Sequence, residues 1–406
     1  SQTRRHCCCD GTGCRQNRPA VCRPRSGRAT AHTLPRRSQT RRHCCCDGTG
    51  CRQNRCRCRC LPTRKSHTMK SAPYLAQSNS VRRVMLTVVA ALLPALTVAT
   101  WFFGIAVWVQ VGQAVLACLL FEAAMLRLRG LPLAPFLTDG SAVLTGMLIG
   151  VCFPPLGAWW LVWVGSFFAI VVAKQLYGGL GHNVFNPAMV AFAVGIVSFP
   201  AQMAGGATVY APLSNLEQLA LIFSHTLPAD LGWDALSSAT PLNAVKVALS
   251  AEVPLPLALF SAGVSGVPNS LVGLAVAYLL GGGVLLWRRV VTWHGPVALI
   301  LTLSTLASVG WLLSPARFAP PLFHLLTGSV MLGAWFIATD PVTGCTTPRG
   351  KLWFGAGVGV LIWAIRSFGS LPDGVAFAVL TLNMMAPLID RHTQPPVFGR
   401  KKKASP

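Results

Sequence analysis

The sequence predicts an all-α integral membrane protein, with about ten transmembrane helices in two inverted five-helix halves. Three observations carry this expectation. The 406-residue chain is 52% hydrophobic and only 11% charged, a balance unlike that of soluble domains. Apolar runs near membrane length recur from Val84 onward, where about 20 residues suffice for a helical crossing. The Lys and Arg residues after Met69 fall overwhelmingly on one side of those runs, as the bias toward basic cytoplasmic loops requires.

Hydropathy with turn and charge punctuation places spans near 84–107, 112–127, 140–153, 157–175 and 187–203, then near 271–287, 295–313, 322–339, 352–368 and 373–390. The third and fifth are short, which admits tilt, re-entrant pieces or a broken helix. With a cytoplasmic N-terminus, the inside holds Lys70, Arg82, Arg83, Arg127, Arg129, Lys174, Arg288, Arg289, Arg349, Lys351, Arg391 and the run Arg400 to Lys403. Only Lys246, Arg317 and Arg366 remain outside. Both termini are therefore expected in the cytoplasm, and the 204–270 loop outside it.

Five spans per half make a second half of similar design enter the membrane upside down. Leu137 to Gly146 (LTDGSAVLTG) is echoed by Leu326 to Gly333 (LTGSVMLG), and Asn186-Pro187-Ala188-Met189 loosely by Asn383 to Pro387. Such repeats place sites where the halves meet. Small residues that allow close helix packing would produce similar echoes without a repeat. The expected organisation is an extension over 1–68, a first membrane half over 69–203, an extracytoplasmic loop over 204–270, a second half over 271–391 and a basic tail over 392–406.

The formal net charge of +24 would suggest nucleic acid, but the charge is unevenly placed. Before Met69 stand 17 Lys and Arg against Asp10 and Asp47, about +15 in the first sixth of the chain. No nucleic-acid partner is expected. The same segment repeats Ser1 to Arg18 verbatim as Ser38 to Arg55 and holds 12 of the 15 cysteines. Three adjacent cysteines fit one tetrahedral ion poorly. The segment reads as a basic disordered arm, or as an extension upstream of a start at Met69 with no fold of its own. Beyond it only Cys118, Cys152 and Cys345 remain, too few for a four-thiolate iron–sulfur cluster.

Chemistry is expected in the outer loop at Asp234-Ala-Leu-Ser-Ser238-Ala239-Thr240-Pro241. It approaches the acceptor pattern Asp-x-x-(Ser/Thr)-Gly-Ala-Thr, on which a flavin transferase esterifies FMN to the threonine hydroxyl. Small side chains let an enzyme close over the backbone, and only a hydroxyl can form the phosphoester. The loop alone reads more readily as an ordinary turn in which Ser237 or Ser238 caps a helix beginning near Pro241. Two cytoplasmic-side joints also stand out, Lys174 to Met189 and Phe336 to Gly350, rich in Gly, Asn, Thr and Pro. Gly178, Gly179, Asn183, Asn186, Thr339 and Asp340 are their candidate ligands, since backbone amides in such turns can meet an anion or the polar edge of a flavin. A plain structural joint is the alternative.

Several runs together carry a resemblance: Asp139-Gly-Ser141, Lys174 to Asn183 (KQLYGGLGHN), Phe185 to Met189, Ile337 to Pro341 (IATDP), Ile365 to Ala378 and Ala386 to Arg391. From about Ser71 to Gly399 the chain resembles the family of D subunits of the Rnf, or Rsx, electron-transport complexes. More distantly it resembles the B subunits of Na+-translocating NADH:quinone reductases. The resemblance implies a ten-helix subunit of the bacterial inner membrane that carries FMN phosphoester-linked at Thr240, the flavin loop lying outside the cytoplasm. It implies a complex that moves electrons between ferredoxin and NAD+ and couples this to Na+ or H+ movement. Partners would be the other Rnf subunits, a flavin transferase reading Asp234, Ser238 and Ala239, and membrane lipid. A second, non-covalent flavin such as riboflavin is implied near Gly178 and Thr339. Ser238 departs from the glycine common at that position of the pattern. FMN would supply single-electron chemistry, with Thr240 an attachment point and no nicotinamide site in this subunit. Charges available to carry an ion are few, Glu122 near a helix end and Asp139, Lys174, Asp340 and Asp373 close to the interfaces, so an electron carrier is expected over a self-contained pump. The quinone-reductase subunit and a secondary transporter with inverted repeats are the alternatives.

Overall fold

The computed structural model describes residues 9–10, 13–14, 81–203, 205–206, 213–226, 238–239, 241–251, 253, 269–369, 371 and 373–395. The chain divides into two units, Ser1–Ala76 and Gln77–Pro406. In the first, β1 (Cys9–Asp10) pairs antiparallel with β2 (Gly13–Cys14), Cys9 opposite Cys14. The second unit is helical apart from one two-residue ladder among the described residues.

Its first group of helices begins with α1 (Val81–Phe103) and α2 (Ala106–Leu128). Hydropathy runs unbroken across their joint, so the expected boundary lies several residues late. Gly104 makes the actual break: at φ 74° it takes the left-handed turn that ends α1, its N–H donating to the Thr100 carbonyl at 2.9 Å. After the short α3 (Leu133–Leu137) come α4 (Ser141–Cys152) and α5 (Trp159–Phe167), which continues through wide π-type turns over Phe168–Gln175. Asn186 then caps α6 (Pro187–Ser198), its side chain accepting from the Ala188 and Met189 N–H groups with Pro187 in the first turn.

The segment that follows, between the two groups of apolar helices, contains α7 (Pro200–Met203), strand β3 (Gly205–Gly206), α8 (Asn215–Ser224), strand β4 (Ser238–Ala239) and α9 (Pro241–Ser250). Ser214 and Glu217 form a reciprocal capping box at the start of α8. Gln218 of α8 accepts from the Ala106 N–H at 3.0 Å, which ties the segment to the α1–α2 joint. α9 seats Leu242 and Val245 against Ala319 and Phe323. Lys246 of α9 donates to the carbonyls of Ile365 and Leu371.

The second group is α10 (Asn269–Trp287), α11 (His294–Leu313), α12 (Pro321–Leu326), α13 (Val330–Leu332) with π-type turns over Gly333–Ile337, α14 (Pro348–Phe368) and α15 (Val375–Thr393). The eighth expected span is thus interrupted at Thr327–Ser329, where Gly328 sits at φ 69°. Among the described residues, five helices are long and apolar enough to cross a membrane: α1, α2, α10, α11 and α14. The remaining apolar helices of the bundle are shorter, interrupted or charged at one end, and the whole has the character of a multi-pass membrane protein.

Glycines set how closely the helices approach. A Cβ on Gly146 or Gly150 of α4 would stand 2.6 Å from the Val115 or Val111 Cα of α2. On Gly359 of α14 it would stand 2.8 Å from the Leu299 carbonyl of α11. Small residues at such crossings gain van der Waals contact where lipid supplies no hydrophobic drive. One continuous core joins the two groups, with Leu92, Ile149, Ile170, Leu285, Leu303 and Val358 all fully enclosed.

Candidate functional site

Two cavities flank this core. The first is lined by Met85, Ser141, Leu144, Lys174, Asn183, Asn186, Leu285, Phe336, Thr339 and Asp340. Four residues singled out from the sequence, Asn183, Asn186, Thr339 and Asp340, therefore meet on one wall although about 150 positions separate the two pairs. Asn186 Nδ2 donates to Asp340 Oδ2 at 3.5 Å, and the Thr343 hydroxyl donates to the same oxygen at 2.9 Å. Val342 N–H donates to the other carboxylate oxygen at 3.2 Å. Burial pushes the Asp340 carboxyl above its ordinary range, against the lowering effect of the Val342 and Thr343 donors.

Gly178 and Gly179 do not line this cavity. Both adopt left-handed backbone, φ 117° and 101°, and their amides close the turn onto the Gln175 and Lys174 carbonyls at 3.1 and 3.0 Å. The Gly178 carbonyl accepts from Arg129 at 3.2 Å. Their conformation shapes the joint, and their N–H groups are spent on it.

Asn183 is different. Its Nδ2 donates to the Phe185 carbonyl at 3.2 Å, while its Oδ1 is buried with no partner. A buried, unpaired acceptor on a cavity wall is costly unless a ligand or water satisfies it. The cavity is small, about 90 Å³. It shares Val290, Val291, Thr339, Asp340 and Pro341 with a neighbouring cavity of about 250 Å³ that reaches Thr292, Cys345 and Lys351.

Behind the first cavity lies a buried ion pair that hydropathy and spacing do not announce. Lys174 Nζ stands 2.6 Å from Glu122 Oε1 and donates to Ser141 Oγ at 2.8 Å. Gln175 donates to the same Glu122 oxygen at 3.1 Å, and Asp139 accepts from Ser141 N–H and Oγ at 2.7 Å. Buried charges rarely stand alone, and that rule is the one signal that would have joined Glu122 to Lys174.

The second cavity, about 280 Å³, is the roomier. Its walls are mostly aliphatic, with the rings of Phe103, Phe153, Phe192 and Tyr278 and the thioethers of Met189 and Met331 among them. Its polar end is Thr327 to Ser329 with Asp373. Here Arg366 holds Asp373 at 3.0 Å and donates to the His324 and Thr327 carbonyls at 2.7 and 3.1 Å. Asp373 Oδ2 accepts from the Ser329 hydroxyl at 2.6 Å.

Asp234 and Thr240 lie outside the described residues. Their neighbours are placed: Ser238 and Ala239 form β4, pairing with Gly206 and Gly205, and Pro241 begins α9. Pro241, Leu242 and Met203, the last residue before the β3 connection, all line the second cavity. The helix start near Pro241 agrees with the turn reading of this loop and is equally compatible with an acceptor threonine before it. Among the described residues no cluster of His, Cys, Asp and Glu could hold a metal ion.

Residues 68–399 match the model of the NQR2, RnfD, RnfE family. The chain is 44% identical over 348 residues to the D subunit of the ion-translocating oxidoreductase complex of Yersinia enterocolitica serotype O:8, covering 82% of this chain and 98% of that protein. It is 47% identical over 347 residues to proteins of the same name from Salmonella paratyphi B and Salmonella typhi, with the same shares covered.

Proposed function

The chain belongs to the NQR2, RnfD, RnfE family, and from that premise we propose that it is the membrane subunit of an Rnf-type ion-translocating oxidoreductase complex, carrying FMN phosphoester-linked to Thr240. The observation that carries this reading is the placement around Thr240. Ala239 before it is held in a ladder, Pro241 after it starts a helix, and Pro241 and Leu242 form part of the wall of the 280 Å³ cavity. A group tethered at residue 240 is one peptide unit from an apolar space with several aromatic rings and a polar end. That chemistry suits an isoalloxazine ring, whose faces are apolar and whose edge hydrogen-bonds.

Bound FMN supplies one- and two-electron transfer. The chain's own residues hold and orient it. Thr240 is an anchor and no base, and the cavity walls exclude water. The Arg366, Asp373 and Ser329 cluster fixes the polar end with every carboxylate oxygen already paired. Lys246 pins α9, which starts at the residue after Thr240, to the end of α14.

A second, non-covalent flavin such as riboflavin is proposed at the first cavity and its neighbour, with Asn183, Asn186, Thr339 and Asp340 as ligands. The unpaired Asn183 Oδ1 offers an acceptor to a ring N–H. Gly178 and Gly179 shape the joint beside it.

The finer architecture belongs to the same proposal: ten spans in two inverted halves, both termini cytoplasmic and the Thr240 loop outside. Support comes from a repeated device. In the first group a cation late in the fourth apolar segment, Lys174, reaches the serine that opens the third, Ser141. In the second group Arg366, late in α14, reaches Ser329 through Asp373. π-type turns occur once in each group among the described residues.

A denaturing gel viewed under ultraviolet light tests the attachment. With flavin transferase co-expressed, the wild-type band should fluoresce and the Thr240→Val band should not. A fluorescent T240V band would remove Thr240 from the reading, and a dark wild-type band would remove the covalent flavin.

A further inference from the structure

We propose that the groove between α1 and α10 is a binding site for one anionic phospholipid, its phosphate held by Arg82 and Arg288 and its acyl chains lying along Leu86, Pro94 and Val284. The two helices pack closely where Gly281 of α10 lies against the Ala91 backbone, a place with no room for a Cβ. Toward the arginine-bearing ends a surface groove of about 490 Å³ lies between them. Its rim carries the Arg82 and Arg288 guanidiniums from two different helices, and among the described residues no acidic side chain lines it.

Charge and apolarity are arranged as a diacyl anion requires. Leu86 and Val284 on the walls are exposed, at 46% and 42%, so the chain-contacting surface faces outward. Trp287, 77% exposed, stands at the rim with the Arg288 guanidinium 5.2 Å from its ring centre. An exposed tryptophan beside arginine is the composition of the headgroup level of a bilayer. Arg82 and Arg83 also occupy the first turn of α1, a 23-residue helix whose N-terminal dipole adds favourable potential for an anion.

Among the described residues no carboxylate pairs with Arg82 or Arg288, the two ion pairs there being Lys174 with Glu122 and Arg366 with Asp373. Like charges converging from two helices repel one another, and a phosphate between them relieves that repulsion while the guanidinium forks bind it bidentately. Basic pockets between transmembrane helices recognise anionic headgroups on these grounds. A zwitterionic lipid would bring its own cation to the same rim and gain less.

Native mass spectrometry of the full-length protein in its purified membrane complex tests the site. The complex would be titrated with phosphatidylglycerol and, separately, with phosphatidylcholine of the same acyl chains. One phosphatidylglycerol should be retained at concentrations where phosphatidylcholine is lost. The double variant Arg82→Gln, Arg288→Gln should weaken that retention by about tenfold or more, while Arg317→Gln, remote from the groove, leaves it unchanged. Equal retention of both lipids, or of phosphatidylglycerol by the double variant, would overturn the proposal. Displacement by equimolar inorganic phosphate would also overturn it, by making the site one for a free anion. A photocrosslinker introduced in place of Leu86 in the otherwise unaltered chain keeps the test open if the arginine variants fail to assemble. A crosslink to phospholipid supports the site, and a crosslink to a neighbouring protein replaces the lipid with a protein interface.

Discussion

Removing the Lys174 ammonium would leave the Glu122 carboxylate enclosed without its cation, both side chains being only 2% exposed. Lys174→Met should therefore destabilise the protein by roughly 3–5 kcal/mol, the cost of an uncompensated buried charge. Lys174→Met with Glu122→Leu should recover most of that, read as the thermal midpoint in detergent. Asp340 adds a pH dependence in the loop beyond the π-type turns. Its carboxyl is held above the usual range by burial, so the folded chain keeps a proton that the unfolded chain releases. Its contribution is fully present below the unfolded-state value and is lost as pH rises through the folded-state value. Asp340→Asn should flatten the midpoint's fall as pH rises above the ordinary carboxylate range, and an unchanged slope would remove Asp340 as its source. At this scale the sequence singled out Asn183, Asn186, Thr339 and Asp340, which line one cavity, because Gly-, Asn- and Pro-rich joints between apolar runs are few and conspicuous. It did not reveal that the Gly178 and Gly179 amides close their own turn. Nor did it join Glu122 to Lys174, about 50 positions apart, for which no periodicity speaks.

Among elements, the close pairing of α2 with α4 depends on side chains that are absent. Gly146→Val would drive its Cβ into the Val115 backbone, a contact that a flexible side chain cannot relieve. The helices must separate, at a cost of about 1–3 kcal/mol or more, seen as a lower thermal midpoint with the helical content of the circular dichroism spectrum retained. Gly283→Val on α10, where nothing stands within 4 Å of a Cβ, is the control expected to be nearly neutral. The helix ends followed hydropathy closely because apolar content changes sharply at most joints. The exceptions share one cause. The Gly104 break, the Thr327–Ser329 interruption and the π-type turns of Phe168–Gln175 and Gly333–Ile337 all lie inside continuous apolar runs. There backbone geometry and hydrogen-bond partners, and not hydropathy, decide where a helix stops.

For the whole molecule, one core joins two groups of apolar helices, and the segment between them is tied to the bundle at Gln218 and Lys246. The proposed topology puts that segment outside the cytoplasm. Leu216, 77% exposed on α8, reports on it: Leu216→Cys should react with a membrane-impermeant maleimide in right-side-out vesicles, above the background of the unaltered chain. Labelling confined to inside-out vesicles would reverse the topology. The family was legible because its long runs cluster at the cavity-lining joints, where backbone conformation and polar partners leave few residue choices. The attachment of a cofactor at residue 240 is a different matter, since a phosphoester forms through another enzyme's recognition of a short segment and leaves no trace in packing. The most direct measurement is the mass of the proteolytic peptide containing Thr240 from protein matured with its flavin transferase. The account predicts that peptide heavier by one FMN less one water, with fragmentation placing the addition on Thr240. An unmodified Thr240 peptide, or the addition on Ser237 or Ser238, would contradict it.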